Sequence, residues 1–212
     1  MSRSRLIAWL AAAALVPACS KPEPPPPTAT TSAPPPAAAA ASASGAGRIV
    51  GRIQPGATGV VVLSPKAART FPPQDEKPVM DQANLTFTPE LMFVRTGQAA
   101  EFRNSDDTLH NVNVKHEETR EQAFNVALPT GGNYDHTFGR EGFYRVGCDI
   151  HPAMAAAIFA TSSPYTALAG SDGSFAFEEV PPGPWIVTVY TGGRRLQKDV
   201  EVKSGVSEVT VE

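Results

Sequence analysis

The sequence predicts an all-β chain in which a leader and a tether precede two β-sandwiches. Three observations predict it. From residue 48 onward the chain breaks into short runs of alternating apolar and polar side chains, with Gly, Pro, Asn and Asp between them. No window holds a 3.6-residue period, and the alanines at 155–157 are too few to argue for a helix. Near residue 47 the composition shifts from Pro, Ala, Ser and Thr to β-branched and aromatic residues.

The first segment reads as an export signal. Arg3 and Arg5 supply a positive start, and Leu6 to Val16 is an apolar run of eleven. That length suits a signal peptide and is too short to span a bilayer. The run ends in Val16-Pro-Ala-Cys19, which resembles a bacterial lipobox. The resemblance implies a lipoprotein signal peptide over 1–18, acylation of Cys19 and a periplasmic protein anchored to the membrane. Ser20 favours the outer membrane in a Gram-negative host. The alternative is ordinary cleavage near Ala18, which leaves a soluble periplasmic protein. Residues 19–47 form a Pro/Ala-rich linker with eight prolines and no large apolar residue, so they cannot bury a core. As polyproline II, at ~3.1 Å per residue, this tether reaches at most about 90 Å.

The strands follow in order. Arg48 to Ile53 and Gly59 to Leu63 read as two strands around Pro55-Gly56, and residues 65–80 read as a loop. Leu85 and Phe87 alternate, Pro89 breaks the run, and Leu91 to Val94 resumes it. Ala100 to Asn104 alternates again before Ser105-Asp106-Asp107, where the acidic pair reads as turn chemistry. His110, Val112 and Val114 fall on one face at period two. Tyr134, His136 and Phe138 share a later face, as do Tyr144, Val146 and Cys148. Beyond residue 163, turns at Ser171-Asp-Gly-Ser and Val180-Pro-Pro-Gly separate strands at Phe175–Phe177, Trp185–Tyr190, Leu196–Val202 and Val206–Val211.

The chemistry gathers in residues 142–154. Cys148 and His151 are three apart, as are His151 and Met154, and His110-Asn111 lies upstream. Two imidazoles, a thiolate and a thioether suit trigonal His₂Cys copper with a weak axial Met. The chain has two cysteines. If lipid consumes Cys19, Cys148 is an unpaired thiol in an exported protein, which calls for a reason such as metal ligation. The plainer reading makes Cys148 a small buried hydrophobe and Met154 a core filler. Four histidines limit the chain to one mononuclear centre. His116, beside Lys115 and Glu117-Glu118, is expected on a solvated loop, and His136 as a satisfied core or edge residue. A formal charge of −3 offers no basic field for a phosphate backbone, so no nucleic acid is expected as a partner. No Ser/His/Asp or paired-carboxylate constellation stands out, so an enzyme is not expected.

Residues 84–160 resemble small cupredoxins of the plastocyanin and amicyanin type. The resemblance rests on Gly97-Gln-Ala-Ala-Glu-Phe102-Arg-Asn104-Ser-Asp106, then His110-Asn111, then Phe138, Gly142, Tyr144, Cys148, His151, Pro152 and Met154. The ligand loop, with two residues between His151 and Met154, is similar to that of amicyanin. Asp149-Ile150 stands where a Thr-Pro pair is usual, Val146 where an aromatic is common, and Ala153 in place of Phe. The resemblance implies a Greek-key β-sandwich over 81–161 and one type 1 copper centre. Its ligands would be His110, Cys148, His151 and a long axial Met154, with Asn111 clamping the His110 segment to the Cys148 loop. His151 would lie nearest solvent, with Pro152, Ala153 and Leu128-Pro129 as an apolar docking rim.

Residues 48–64 and 163–212 resemble the carboxypeptidase-regulatory-like module, a small transthyretin-like β-sandwich. The cupredoxin unit would then be inserted in one of its loops, a duplex similar to methylamine-utilisation-type proteins. The function implied is a blue copper protein carrying single electrons between redox partners, a cytochrome or a dehydrogenase. The alternatives are a copper storage or delivery lipoprotein, and an adhesion module. Delivery proteins tend to expose Met- and His-rich tracts, and this chain has four Met in all.

Overall fold

The computed structural model describes residues 45–53 and 57–212. The export signal, Cys19 and all but the end of the Pro/Ala-rich linker lie outside the described residues. Among the described residues there are sixteen strands and no helix, so the all-β class holds. The chain opens with β1 (Gly47–Ile53) and β2 (Val60–Pro65). There follow β3 (Val79–Ala83), β4 (Thr86–Thr88), β5 (Leu91–Arg95), β6 (Ala99–Asn104), β7 (His110–His116) and β8 (Gln122–Leu128). Next come β9 (Asn133–Thr137), β10 (Gly142–Gly147) and β11 (Ala155–Thr161). The chain closes with β12 (Thr166–Leu168), β13 (Ser174–Val180), β14 (Gly183–Thr191), β15 (Arg194–Val202) and β16 (Gly205–Val211).

These strands make four sheets, ordered β5-β11-β10-β7-β8, β4-β3-β6-β9, β13-β1-β16 and β12-β2-β14-β15. The first two enclose a core that includes Met80, Phe102, Phe138, Tyr144 and Ile158. The other two enclose Ile49, Leu63, Phe177, Trp185 and Val187. β1 pairs antiparallel with β13 and parallel with β16, and β2 lies between β12 and β14. The chain therefore leaves the smaller sandwich after β2 and returns to it at β12.

The run Val60 to Leu63 is buried throughout, although alternation alone would expose every second residue. Val61 and Leu63 face the small core, while Val60 and Val62 pack with Phe159 in a third cluster. Leu91, Phe93, Phe143 and Tyr190 complete that cluster. Phe159 stands 4.7 Å from Phe143 and 5.2 Å from Tyr190, measured between ring centres. The two sandwiches are thus cemented by an aromatic layer, and β2 is apolar on both faces because it has two cores to serve.

Three expectations change. The strand β3 begins at Val79, inside the segment read as loop, and pairs in parallel with β6. Leu85 does not share a face with Phe87. Asn84 and Leu85 have φ of 56° and 57° and make the tight turn between β3 and β4, which leaves Leu85 exposed and Phe87 buried. His116 is not solvated but 3% exposed, because β7 runs on to it and period two places it with Val112 and Val114. Its Nδ1 accepts from the Thr119 amide at 3.2 Å and its Nε2 donates to the Glu141 carbonyl at 3.1 Å. Gly142 makes room for it: a Cβ there would stand 2.8 Å from His116 Nε2, at a φ of +124°.

Candidate metal centre

β7 begins at His110, so alternation sends His110, Val112 and Val114 to the core face and Asn111 and Asn113 to the other. β10 ends at Gly147, and the chain turns back through residues 148–154 into β11. The Cys148 amide donates to the Met154 carbonyl at 3.3 Å and the Met154 amide to the His151 carbonyl at 2.9 Å, which closes the loop. Those two bonds and the antiparallel β10–β11 pairing hold the loop at the end of the strand that neighbours β7.

The fold brings three donors together. His110 Nδ1 and His151 Nδ1 are 3.0 Å apart, and Cys148 Sγ is 3.9 Å from the first and 3.8 Å from the second. A point in their plane lies about 2.1 Å from all three, the length of a nitrogen bond to a first-row metal ion and within about 0.2 Å of a thiolate bond. The donor set itself, two imidazoles and one thiolate, therefore fits a single ion. His110 is fully buried, Cys148 is 4% exposed, and His151 alone of the three is part-exposed. Met154 is 2% exposed and lines the same cleft as Cys148 and Pro152.

Asp106 stands behind His110. Its Oδ2 is 2.9 Å from His110 Nε2, so the ring donates there and keeps the Nδ1 lone pair free for the cluster. The same carboxylate accepts from the amides of Asn84 at 2.6 Å and Leu85 at 3.0 Å. The Leu85 amide, then the His110 ring and then the Asn84 amide hold the Asp106 carboxyl below its ordinary range. Asp106 was expected to serve a turn. The turn expected was that of its own segment, 105–107; its carboxylate instead caps the β3–β4 turn across the sheet and orients the imidazole.

Asn111 lies between the two halves of the site. Its Oδ1 accepts from the Asp149 amide at 2.7 Å and the Cys148 thiol at 3.3 Å. Its Nδ2 donates to Asn125 Oδ1 and to Asp149 Oδ2. Gln82, fully buried on β3, donates to the Asn111 carbonyl at 3.2 Å. Asp149 also accepts from Asn113 and Asn125. These amides, Asn113 first, depress its carboxyl. Sequence reading named Asn111 and missed Asp106, Asp149, Asn113 and Asn125 as partners. The available signals were the acid four residues before His110 and the Asn-x-Asn spacing on one strand face.

Two histidines stay out of the cluster. Both His116 nitrogens are engaged elsewhere. His136 packs against Phe124 and Phe138, and burial lowers its pKa. Of the expected rim, Pro129, Pro152 and Ala153 are exposed, and only Leu128 departs. Leu128 pairs with His110 and is 2% exposed, so it belongs to the core, whereas Leu109 and Ile150 are about half exposed beside the ligands.

Residues 75–160 match the family model of the copper binding proteins, plastocyanin/azurin family. Copper is thus the metal that goes with this donor set, and the matched span contains all three donors. Among curated proteins no relative matches the chain. Several solved structures are similar to part of the chain. A novel purple cupredoxin from Nitrosopumilus maritimus is 20% identical, covering 40% of this chain and 99% of its own, with a TM-score of 0.35. Amicyanin from Paracoccus versutus is 18% identical, covering 41% of this chain and 83% of its own, with a TM-score of 0.37. The Cu-containing nitrite reductase from Thermus scotoductus SA-01 is 24% identical, covering 45% of this chain and 25% of its own, also with a TM-score of 0.37.

Proposed function

We propose that this protein carries single electrons through one type 1 copper centre held by His110, Cys148 and His151, with Met154 as the weak axial donor. One observation carries the reading: three soft and borderline donors from two separate stretches lie within 3.9 Å of one another. When bound, copper supplies a one-electron couple whose potential depends on the axial donor and the surroundings of the Cys sulfur. The protein's part is to hold and to insulate. His110, Cys148 and Met154 are buried, which keeps bulk water from the donors. Asp106 fixes the His110 tautomer and Asn111 ties the two ligand segments together. His151 reaches the surface and is the natural exit for an electron.

Around it, Leu109, Ile150, Pro152 and Ala153 are exposed. Such a small apolar rim suits the brief encounters of redox proteins. The partner is a redox protein, a cytochrome or a dehydrogenase. A lipid on Cys19 would anchor the protein in the periplasm, with residues 19–47 as its tether, and the carrier would act without catalysing a reaction of its own. The cupredoxin domain runs from β3 to β11, 79–161, two residues earlier than the expected start at 81 because Val79 and Met80 pair with β6 and Met80 fills its core, and residues 48–64 with 163–212 make the regulatory-like sandwich. Burial of two of the three donors favours a carrier over a delivery protein, which must expose its metal for exchange.

Copper-loaded protein should show an intense blue absorption that disappears in Cys148→Ser. A colourless protein that binds copper(I) tightly would overturn the electron-carrier reading in favour of delivery.

A further inference from the structure

We propose that Asp149 is a positioning residue of the copper centre, an inference that rests on the function proposed above. Its carboxylate straps the ligand loop across the β7–β8 hairpin and sets a fixed negative charge beside Cys148. Asn113 Nδ2 donates to Oδ1 at 2.9 Å and to Oδ2 at 3.1 Å. Asn111 Nδ2 donates to Oδ2 at 2.9 Å and Asn125 Nδ2 at 3.0 Å. Asn113 and Asn125 face each other across the hairpin, and Asn111 lies two residues before Asn113 on the same strand face. One acid on the ligand loop thus collects three amides from the hairpin that begins with His110.

The chemistry needs a carboxylate. An ionised acid only accepts, so it takes all four contacts without conflict, whereas an amide there would turn its own N–H groups against the asparagine donors. Asp149 touches none of the donor atoms. It acts through its neighbour: its amide is held by Asn111 Oδ1, the same oxygen that lies 3.3 Å from Cys148 Sγ. A shift of Cys148 relative to His110 must therefore break this strap. The charge has a second consequence. A negative group one residue from the thiolate favours the more positive state of the metal and lowers the reduction potential.

Three variants test this: Asp149→Asn, Asp149→Ala, and the double variant Asn113→Ala/Asn125→Ala. Hydrogen exchange of the residue 148–151 amides is read in metal-free protein, and the reduction potential in copper-loaded protein. Exchange of β14 amides serves as the control for intact folding. Loop exchange should quicken about tenfold or more in Asp149→Ala and in the double variant. The potential should rise in both Asp149 variants, with the blue band retained in Asp149→Asn. Unchanged loop exchange in Asp149→Ala and the double variant, with β14 protected, overturns the positioning role whatever the potential does. An unchanged potential in both Asp149 variants overturns the charge effect. If wild-type protein shows no blue band, the electron-carrier reading fails, and the exchange measurement still decides whether Asp149 holds the loop.

Discussion

His110 is useful as a donor because of the carboxylate behind it. A neutral imidazole has one proton for two nitrogens, and Asp106 settles it on Nε2. Asp106→Ala removes that constraint, and such outer partners commonly govern metal affinity by 10–100-fold. Copper affinity of this variant, measured by competition with a chelator, should fall by about tenfold or more. His116 shows the opposite case. Both of its nitrogens are spent on the chain itself, on Thr119 and Glu141, so this buried histidine in the larger sandwich offers nothing to a metal. The same residue type is a ligand or a filler according to what its second nitrogen meets.

At the scale of elements, β7 does two jobs through alternation. Its inward residues continue the core from His110, and its outward asparagines receive the ligand loop. β2 and β11 also serve two faces, which places Phe159 in the layer between the sandwiches. Phe159 is 2% exposed, with three aromatic rings around it. Truncating so large a buried ring costs about 3–5 kcal/mol. Phe159→Ala should lose that much unfolding free energy in a denaturant titration. Because Phe159 points away from the donors, folded Phe159→Ala should keep the visible band at its wild-type position.

The whole molecule has a formal charge of −3, and several carboxyls are held below their ordinary values by local bonds. Asp172 is depressed mainly by the Ser174 hydroxyl and amide, and Glu101 by Arg103 and Lys77. A carboxyl depressed on folding stabilises the native state above its unfolded pKa, and loses that contribution as pH falls through the folded value. Ordinary values are 3.8 for Asp172 and 4.5 for Glu101. The unfolding free energy of metal-free protein should therefore be level in these terms near neutral pH and decline below about pH 4.5. Asp172→Asn and Glu101→Gln together should flatten that decline in urea titrations run from pH 6 to pH 3.

Much of this protein was legible in the order of its residues. Period-two runs and punctuating glycines and prolines determined an all-β chain, because strand alternation is a local property. The close spacing of Cys148, His151 and Met154, with His110 upstream, pointed to copper because donor type alone narrows the metal. Partners at long separation were beyond such reading. That Asp106 caps the β3–β4 turn through Asn84 and Leu85, and that Asn111, Asn113 and Asn125 all meet Asp149, depends on closure of the sheets. Polar side chains carry no periodic signal for a partner some 20 to 40 residues away, since hydrogen bonds are made by whatever the packed backbone sets within about 3 Å.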